Sequence, residues 1–328
     1  FFSPVPFGET VPLPGGATLT FRRAGHILGA ATADIEWAGR RVAFSGDLGR
    51  FNDPLMVAPE PRPDSQYLVV ESTYGDRRHP QVDPQSELND IVSRTVRRGG
   101  TVVIPAFAVG RAQTQLFYFE RLKAAGKLAN VPIFLDSPMA VNASEIFCHH
   151  RQDHKLSEPD CRSSCAVATY IRSVEDSKRL SAMPIPKGII SASGMATGGR
   201  VLHHLKRFAP DPKNTILFAG YQAKGTRGAA MVAGVTTIRI HGEDIPVRAE
   251  VKNISALSAH ADAEEIVLWL RTGSSAPAMT FITHGDPAAA NALRARIEKD
   301  LGWRAAVPAQ MDLAVLSRAQ AGALASRP

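Results

Sequence analysis

The sequence has few cysteines and no long apolar run. Its three cysteines, Cys148, Cys161 and Cys165, are too few for a disulfide framework. The longest apolar stretches, such as residues 101–109, have the length of a strand and are broken by proline, so no segment is long enough to span a bilayer. No basic-then-apolar leader opens the chain. We therefore expect a cytoplasmic protein with no membrane partner.

Charge is distributed unevenly along the 328 residues, although the net charge is only +7. The segment from Arg77 to Ser258 holds 25 Lys and Arg against 15 Asp and Glu, and the two flanking segments together are mildly acidic. A basic middle segment favours a polyanionic partner such as nucleic acid. The alternative interpretation is an ordinary solvated basic surface.

Hydrophobic periodicity predicts a β-rich start followed by alternating strands and helices. The predicted strands are residues 19–21, 34–37, 41–45, 67–71, 101–105, 131–135, 188–192, 215–219, 238–240, 247–254 and 279–283. The predicted helices are residues 86–98, 110–125, 139–150, 168–180, a segment ending at Phe208, 263–271 and 288–301.

Strands that alternate with helices indicate a parallel sheet covered on both faces. We therefore predict an α/β insert at residues 77–258, flanked by two parts of a β-rich domain at residues 1–76 and 259–328. The chain starts abruptly at Phe1, without an initiator methionine, and we interpret it as a fragment.

Three potential metal ligands follow predicted strands and stand next to glycine. His26 lies in AGHILG, Asp47 in SGDLGR and His284 in THGD. Imidazole and carboxylate groups beside glycines, which allow close backbone approach, are typical of zinc sites. A carboxylate can bridge two cations, so Asp47 is the candidate bridging ligand. Taken singly, each residue is more often an ordinary loop histidine or turn aspartate.

A further histidine and a carboxylate are candidates for acid–base chemistry. His260 lies in SAHAD just before a predicted helix, and Glu71 ends a predicted strand. Histidine can protonate a leaving oxygen because its pKa lies near working pH, and a carboxylate partner would orient the ring and favour its charged form. The alternative is a helix cap and a strand end.

Five motifs, in this order and spacing, resemble those of the β-CASP nucleases of the metallo-β-lactamase superfamily: AGHILG, SGDLGR, ESTYG, SAHAD and THGD. The resemblance spans essentially the whole chain. It implies an α/β fold, namely part of an αββα sandwich of two sheets with the basic parallel-sheet domain inserted as a lid. It also implies zinc-dependent hydrolysis of single-stranded RNA in RNA processing or degradation. Members of the family often form homodimers, although the sequence carries no clear interface signature.

The resemblance also implies roles for individual residues. His26 would bind one zinc ion, His284 the other, and Asp47 both, while Glu71 and His260 would form the acid pair. The histidine at position 284 favours RNA, since the DNA-repair branch generally has valine there.

Glycine-rich turns of the insert supply candidates for substrate binding. The segment from Ser191 to Arg200 precedes a helix and is expected to present free backbone amides to a phosphate. Ordinary strand-to-helix turns are an equally good interpretation of any single segment. The predicted substrate contacts are Arg111, Ser137, Ser191, Ser193, Gly194, Arg200 and Arg227.

A loose group of cysteines and histidines lies between residues 148 and 165. The group has no Cys-x-x-Cys pair, and its surroundings are polar and typical of a loop, so a structural zinc site is disfavoured. Free cysteines near a surface helix are the favoured interpretation.

One motif of the family, His-x-His-x-Asp-His, does not occur in this chain and is expected before residue 1. The remaining residues offer each of two zinc ions two protein ligands, whereas firm sites have three or four. We therefore expect this chain alone to bind zinc weakly or not at all and to be inactive. The alternatives are a non-catalytic RNA-binding or scaffold homologue and, disfavoured by His284, a DNA nuclease.

Overall fold

The computed structural model describes residues 2–316 and the backbone of residues 324 and 325. The chain divides into two compact units. Unit 1 comprises Phe1–His79 and Ala259–Pro328, and unit 2 comprises Pro80–Ser258. The first boundary lies three residues after the predicted one, because His79 and Arg78 bond to Asp262 and Glu264 of unit 1.

The elements alternate between strands and helices through the middle of the chain. In chain order they are β1 (Thr10–Leu13), β2 (Ala17–Arg23), β3 (Ala31–Trp37), β4 (Arg40–Phe44), β5 (Tyr67–Glu71), α1 (Pro84–Arg97), β6 (Thr101–Pro105), α2 (Arg111–Ala124), β7 (Ile133–Asp136), α3 (Pro138–His149), α4 (Glu158–Ala166), β8 (Thr169–Tyr170), α5 (Val174–Ala182), β9 (Lys187–Ser191), α6 (Val201–Phe208), β10 (Thr215–Ala219), α7 (Arg227–Val232), β11 (Thr237–Ile240), β12 (Glu243–Pro246), β13 (Glu250–Ile254), α8 (Ala263–Leu270), β14 (Met279–Thr283), α9 (Pro287–Leu301), β15 (Ala305–Ala306), β16 (Leu313–Ala314) and β17 (Leu324–Ala325).

Unit 1 contains a seven-stranded mixed sheet in the order β1-β2-β3-β4-β5-β14-β15. Its first strands are antiparallel, whereas β4, β5, β14 and β15 run parallel. Leu68 and Ile282 of the central strands pack with Ile266 and Leu293 of α8 and α9. Alternate residues of the same strands form a second apolar cluster, as the two-residue period of a strand requires.

Unit 2 contains a six-stranded sheet in the order β13-β10-β6-β9-β7-β8, in which every pair is parallel. The residues of β6, β9 and β10 are all buried, and their aliphatic and aromatic side chains belong to two apolar clusters that also include helix residues. The predicted α/β class with a parallel-sheet insert is confirmed. Among the described residues, no helix combines the length and apolarity required to cross a bilayer.

Three sequence predictions around the cysteines are wrong. Residues 168–180 were predicted as one helix, but Thr169 and Tyr170 form β8 and Ser173 caps α5. The segment expected to be a loop contains α4, which Ser157 caps by accepting a hydrogen bond from the Asp160 amide. The cysteines are not all free, since Cys148 and Cys161 form a disulfide. The alanine-rich C-terminal segment is by composition a candidate terminal helix or tail, and most of it lies outside the described residues.

Candidate metal centre and neighbouring residues

The parallel order of β4, β5 and β14 brings the carboxyl ends of three strands to one edge of the unit 1 sheet. Phe44 pairs with Val69, and Thr283 pairs with Glu71. Glu71 ends β5, while Asp47 and His284 follow the ends of β4 and β14. The carboxyl ends of parallel strands commonly form ligand sites. Three predicted site residues therefore meet at this edge.

Close backbone approach adds two histidines from distant loops. The amide of Gly49 donates to the Ala24 carbonyl at 2.7 Å, and the amide of Ala261 donates to the Leu48 carbonyl at 2.8 Å. A Cβ atom at Gly49 would lie 2.0 Å from the Gly25 carbonyl oxygen, so this approach requires glycine. As a result the rings of His26 and His260 lie 4.2 Å apart between centroids.

Four potential ligands converge at this place. One ligand atom from each of His26, Asp47 and His260 lies within 4.8 Å of the others. Nδ1 of His284 lies 3.2 Å from Oδ1 of Asp47. The side chains of Asp47 and His284 are 41% and 59% exposed, so a cation can reach them from solvent. Imidazole nitrogens and a carboxylate form a donor set that suits zinc.

Glu71 is a buried carboxylate, 2% exposed, that holds His260. Its Oε1 accepts from the Leu48 amide at 2.6 Å and lies 3.1 Å from Nδ1 of His260. Burial alone would raise the pKa of Glu71, but hydrogen bonds and charge from His260, with hydrogen bonds from Thr73 and Leu48, outweigh it and lower the pKa. The contact assigns a proton to Nδ1 of His260 and leaves Nε2 to meet a ligand.

His79 was missed by the sequence analysis. Its ring is 3% exposed, and its Nε2 lies 2.8 Å from the His260 carbonyl oxygen, to which it donates. The His79 amide donates to Oδ2 of Asp262 at 2.8 Å. Burial lowers the pKa of His79 and favours the neutral ring. His79 therefore fixes the SAHAD segment. Its signal in the sequence is a histidine four positions after ESTYG, beyond the strand end.

In unit 2, several predicted substrate contacts meet around Asp136, which was not predicted as one. Asp136 is 0% exposed and lies 2.7 Å from both Nη1 of Arg200 and Nε2 of His204. Its carbonyl accepts from Oγ of Ser191 at 2.9 Å, and the next residue, Ser137, caps α3. Burial would raise the pKa of Asp136, but hydrogen bonds from His204, Ser177 and Arg200 lower it. A buried network therefore joins the end of β7 to the start of α6 through the Asp136 carboxylate and to β9 through the Asp136 carbonyl.

The segment from Ser193 to Arg200 differs from the expectation of free amides. Oγ of Ser193 accepts from the amides of Thr197 and Gly198 at 3.1 and 3.2 Å. Gly194 packs closely against the Phe107 ring. A Cβ atom at this position would lie only 2.7 Å from the ring, so a larger residue would not fit. The turn thus satisfies part of its own backbone.

The three predicted arginines each donate to backbone carbonyls within unit 2. Nη1 of Arg111 donates to the Leu257 carbonyl, and Arg111 is only 8% exposed. Arg200 donates to the Arg172 carbonyl at 2.8 Å, and Arg227 to the Arg239 carbonyl at 2.6 Å. Their predicted role as phosphate contacts stays a prediction.

Two family models match this chain. The Beta-Casp domain matches residues 112–231. The Zn-dependent metallo-hydrolase RNA specificity domain matches residues 244–308. These matches include much of the unit 2 sheet and the segment that carries His260 and His284.

The chain is also similar to curated proteins. It is 36% identical to "Ribonuclease TTHA0252" of Thermus thermophilus over 281 residues, which are 82% of this chain and 63% of that protein. It is 30% identical to "Transcription termination factor FttA" of Pyrococcus horikoshii over 324 residues, which are 93% of this chain and 50% of that protein. It is also 31% identical to an "RNase J-like protein" of Methanocaldococcus jannaschii over 274 residues, which are 81% of this chain and 63% of that protein. The chain therefore spans about half to two thirds of the relatives' length.

Proposed function

Because the chain belongs to the β-CASP family of the metallo-β-lactamase superfamily, we propose that the whole protein is a metal-dependent ribonuclease that hydrolyses RNA phosphodiester bonds. The observation that carries the proposal is the convergence of His26, Asp47, His260 and His284 at one edge of the unit 1 sheet. A relative named as a ribonuclease supports the reaction, and the matched RNA specificity domain supports the substrate.

The metal chemistry follows from the donor set. We propose that His26, Asp47 and His284 hold zinc, with Asp47 between two ions in the whole protein. Bound zinc would polarise the phosphate oxygens and supply a hydroxide at neutral pH. Four converging donors are too few to hold two ions firmly, so residues 1–328 alone are expected to bind zinc weakly or not at all.

His260 acts on the leaving group in this proposal. The buried carboxylate of Glu71 accepts a hydrogen bond from the Nδ1–H group of His260 and so orients the ring. When the ring is doubly protonated, Nε2 donates its proton to the oxygen that leaves the cleaved bond. The buried carboxylate stabilises the charged ring before this transfer.

A second role for His260 is supported by its place among the metal donors. Histidines that bind metals commonly donate their other N–H to a carboxylate, as His260 does to Glu71. A His260→Ala variant of the whole protein separates the roles. If His260 is the acid, zinc content stays at the wild-type value while cleavage falls; if His260 is a ligand, zinc content falls too.

The substrate is proposed to be single-stranded RNA bound along the basic segment of residues 77–258. In the test, the whole protein is incubated with labelled RNA and with DNA of the same sequence, with and without a chelator. The proposal expects chelator-sensitive cleavage of RNA that Asp47→Asn abolishes. Binding of RNA without cleavage would favour a scaffold, and cleavage confined to DNA would favour a DNA nuclease. Homodimer formation and a cytoplasmic location stay predictions.

A further inference from the structure

The three cysteines of the chain meet between two helices of unit 2. Cys148 lies in the last turn of α3, while Cys161 and Cys165 lie one turn apart on one face of α4. Cys148 and Cys161 form a disulfide with a Cα–Cα distance of 5.8 Å. Sγ of Cys165 lies 3.4 Å from Sγ of Cys148. One sulfur of α3 therefore has two potential partners on α4.

The group is partly shielded from solvent, since Cys148 and Cys165 keep intermediate exposure. Cys161 is 2% exposed and Cys165 is half-buried. Burial raises the pKa of the Cys165 thiol, and the hydrogen bond with the Tyr170 hydroxyl offsets only part of this rise. Since the thiolate is the attacking form, we expect Cys165 to react slowly at neutral pH and faster as the pH rises.

We propose that Cys148, Cys161 and Cys165 form a thiol–disulfide exchange site in which Cys148 changes partner. In the exchange step, the Cys165 thiolate attacks Sγ of Cys148, and a Cys148–Cys165 bond forms as the Cys148–Cys161 bond breaks. The electron pair of the broken bond stays on Cys161, which takes up the proton that Cys165 lost. No electrons are gained or lost overall.

Formation of the first disulfide requires an oxidant, and the proposal names a low-molecular-weight disulfide. Two protein thiols and one such disulfide give one protein disulfide and two small thiols, in two successive exchanges. In a reducing compartment the protein disulfide would be transient, as is typical of redox-responsive sites. The bond closes a segment with a sequence separation of 13 and ties α3 to α4.

A soft metal ion bound by the three sulfurs is the competing interpretation, because these sulfurs lie within 4.8 Å of one another. The exchange site is favoured on two observations. Cys148 and Cys161 are already bonded to each other, and the third sulfur lies in contact with that bond. Among the described residues, no fourth cysteine, histidine or carboxylate completes the group.

The test uses the reduced full chain, oxidised with oxidised glutathione over a range of pH, alkylated and digested with trypsin. Cleavage after lysine and arginine places the cysteines in three different peptides, residues 128–151, 156–162 and 163–172, so each linkage has its own mass. We expect both the Cys148–Cys161 and the Cys148–Cys165 linkages in the wild-type chain. The oxidised chain should also melt at a higher temperature than the reduced chain.

Matched variants sharpen the result. Cys161→Ser should form the Cys148–Cys165 linkage alone, Cys165→Ser should form the Cys148–Cys161 linkage alone, and Cys148→Ser should carry glutathione without a link between α3 and α4. The proposal is overturned if the wild-type chain never yields the Cys148–Cys165 linkage. It is also overturned if the reduced chain binds one Cd²⁺ with thiolate charge-transfer absorption and then resists oxidation. The masses of the linked tryptic peptides from the wild-type chain test the proposal even if a variant fails to fold.

Discussion

Nδ1 of His260 lies 3.1 Å from Oε1 of Glu71, a buried carboxylate 189 positions earlier in the chain. The same oxygen accepts from the amide of Leu48, next to Asp47. One carboxylate therefore fixes both the proposed acid and the loop that carries the proposed bridging ligand. Its low pKa keeps it ionised, which suits a group that must hold a charged imidazole.

The charge of the Glu71 carboxylate is predicted to be required for full activity. Glu71→Gln keeps the shape of the side chain but removes its charge, so His260 is less well oriented and its charged form is less stable. We expect kcat for RNA cleavage by the whole protein to fall by about 10–100-fold with little change in KM. Glu36→Gln, an exposed carboxylate of β3 in the same unit, is the matched control. An unchanged kcat for Glu71→Gln would remove the acid pair from the mechanism.

His79 is predicted to be a positioning residue. His79→Phe keeps an aromatic ring of similar shape but cannot donate to the His260 carbonyl. We expect a stability loss of about 1 kcal/mol for the lost hydrogen bond and a fall in kcat. Unfolding in denaturant measures the first quantity, and cleavage assays measure the second. His79→Gln should restore part of kcat if donation matters, whereas a purely packing role predicts no such rescue.

Asp136 is predicted to stabilise unit 2 in a pH-dependent way. Asp136→Asn leaves Arg200 without its buried counter-charge and should cost about 3–5 kcal/mol at neutral pH. The folded pKa is lowered, so the stabilisation is present above the ordinary value of 3.8 and is lost as pH falls through the folded pKa. The unfolding free energies of the wild-type chain and of Asp136→Asn, measured in denaturant, should therefore converge in acid. Asp90→Asn, on the exposed face of α1, should have little effect at any pH.

Lys187 is predicted to make stability rise with pH in the alkaline range. Its Nζ donates to the Met183 carbonyl at 2.6 Å, and burial, with charge from Arg207 and Lys213, lowers its pKa from 10.5 to about 8. Between these values the unfolded chain holds a proton that the folded chain has released, so stability rises with pH.

We expect the rise to be at most about 3.5 kcal/mol, at roughly 1.4 kcal/mol per pKa unit between these two values. The Lys187→Met variant should lack this rise in stability with pH. The Lys178→Met variant, changed at an exposed lysine, should keep the rise. Unfolding free energies measured from pH 7 to pH 11 provide the comparison, and a parallel rise in Lys187→Met would contradict the assignment.

Strands with strong local signals could be predicted well from the sequence. The bounds of β5, β6, β10 and β14 coincide with the prediction, because continuous apolar runs end at turn residues or carboxylates. The predicted meeting of Asp47 and His284 also occurs, since parallel strands bring their carboxyl ends together.

The features of the fold and of the site that could not be predicted depend on contacts between residues far apart in the chain. α4 is polar and short, so its periodicity is weak, and the meeting of Cys161 with Cys148 cannot be read from their spacing. The role of His79 depends on a carbonyl 181 positions later. Arg111 belongs to a glycine-flanked motif that is typical of a phosphate contact, yet its guanidinium bonds to a carbonyl within the fold. Local patterns identify functional residue types but do not identify their partners.

The pairing of β5 with β14 affects how the protein is made. Ser72, just after β5, donates to the Thr283 carbonyl across 211 positions, and the two strands are neighbours in one sheet. On the ribosome, β5 emerges long before β14, and the whole unit 2 sheet, which ends at Ile254, also emerges before β14. The insert can therefore fold first, while β5 waits with an open hydrogen-bonding edge. A chain that stalls between these points exposes that edge, and we expect such truncated chains to aggregate.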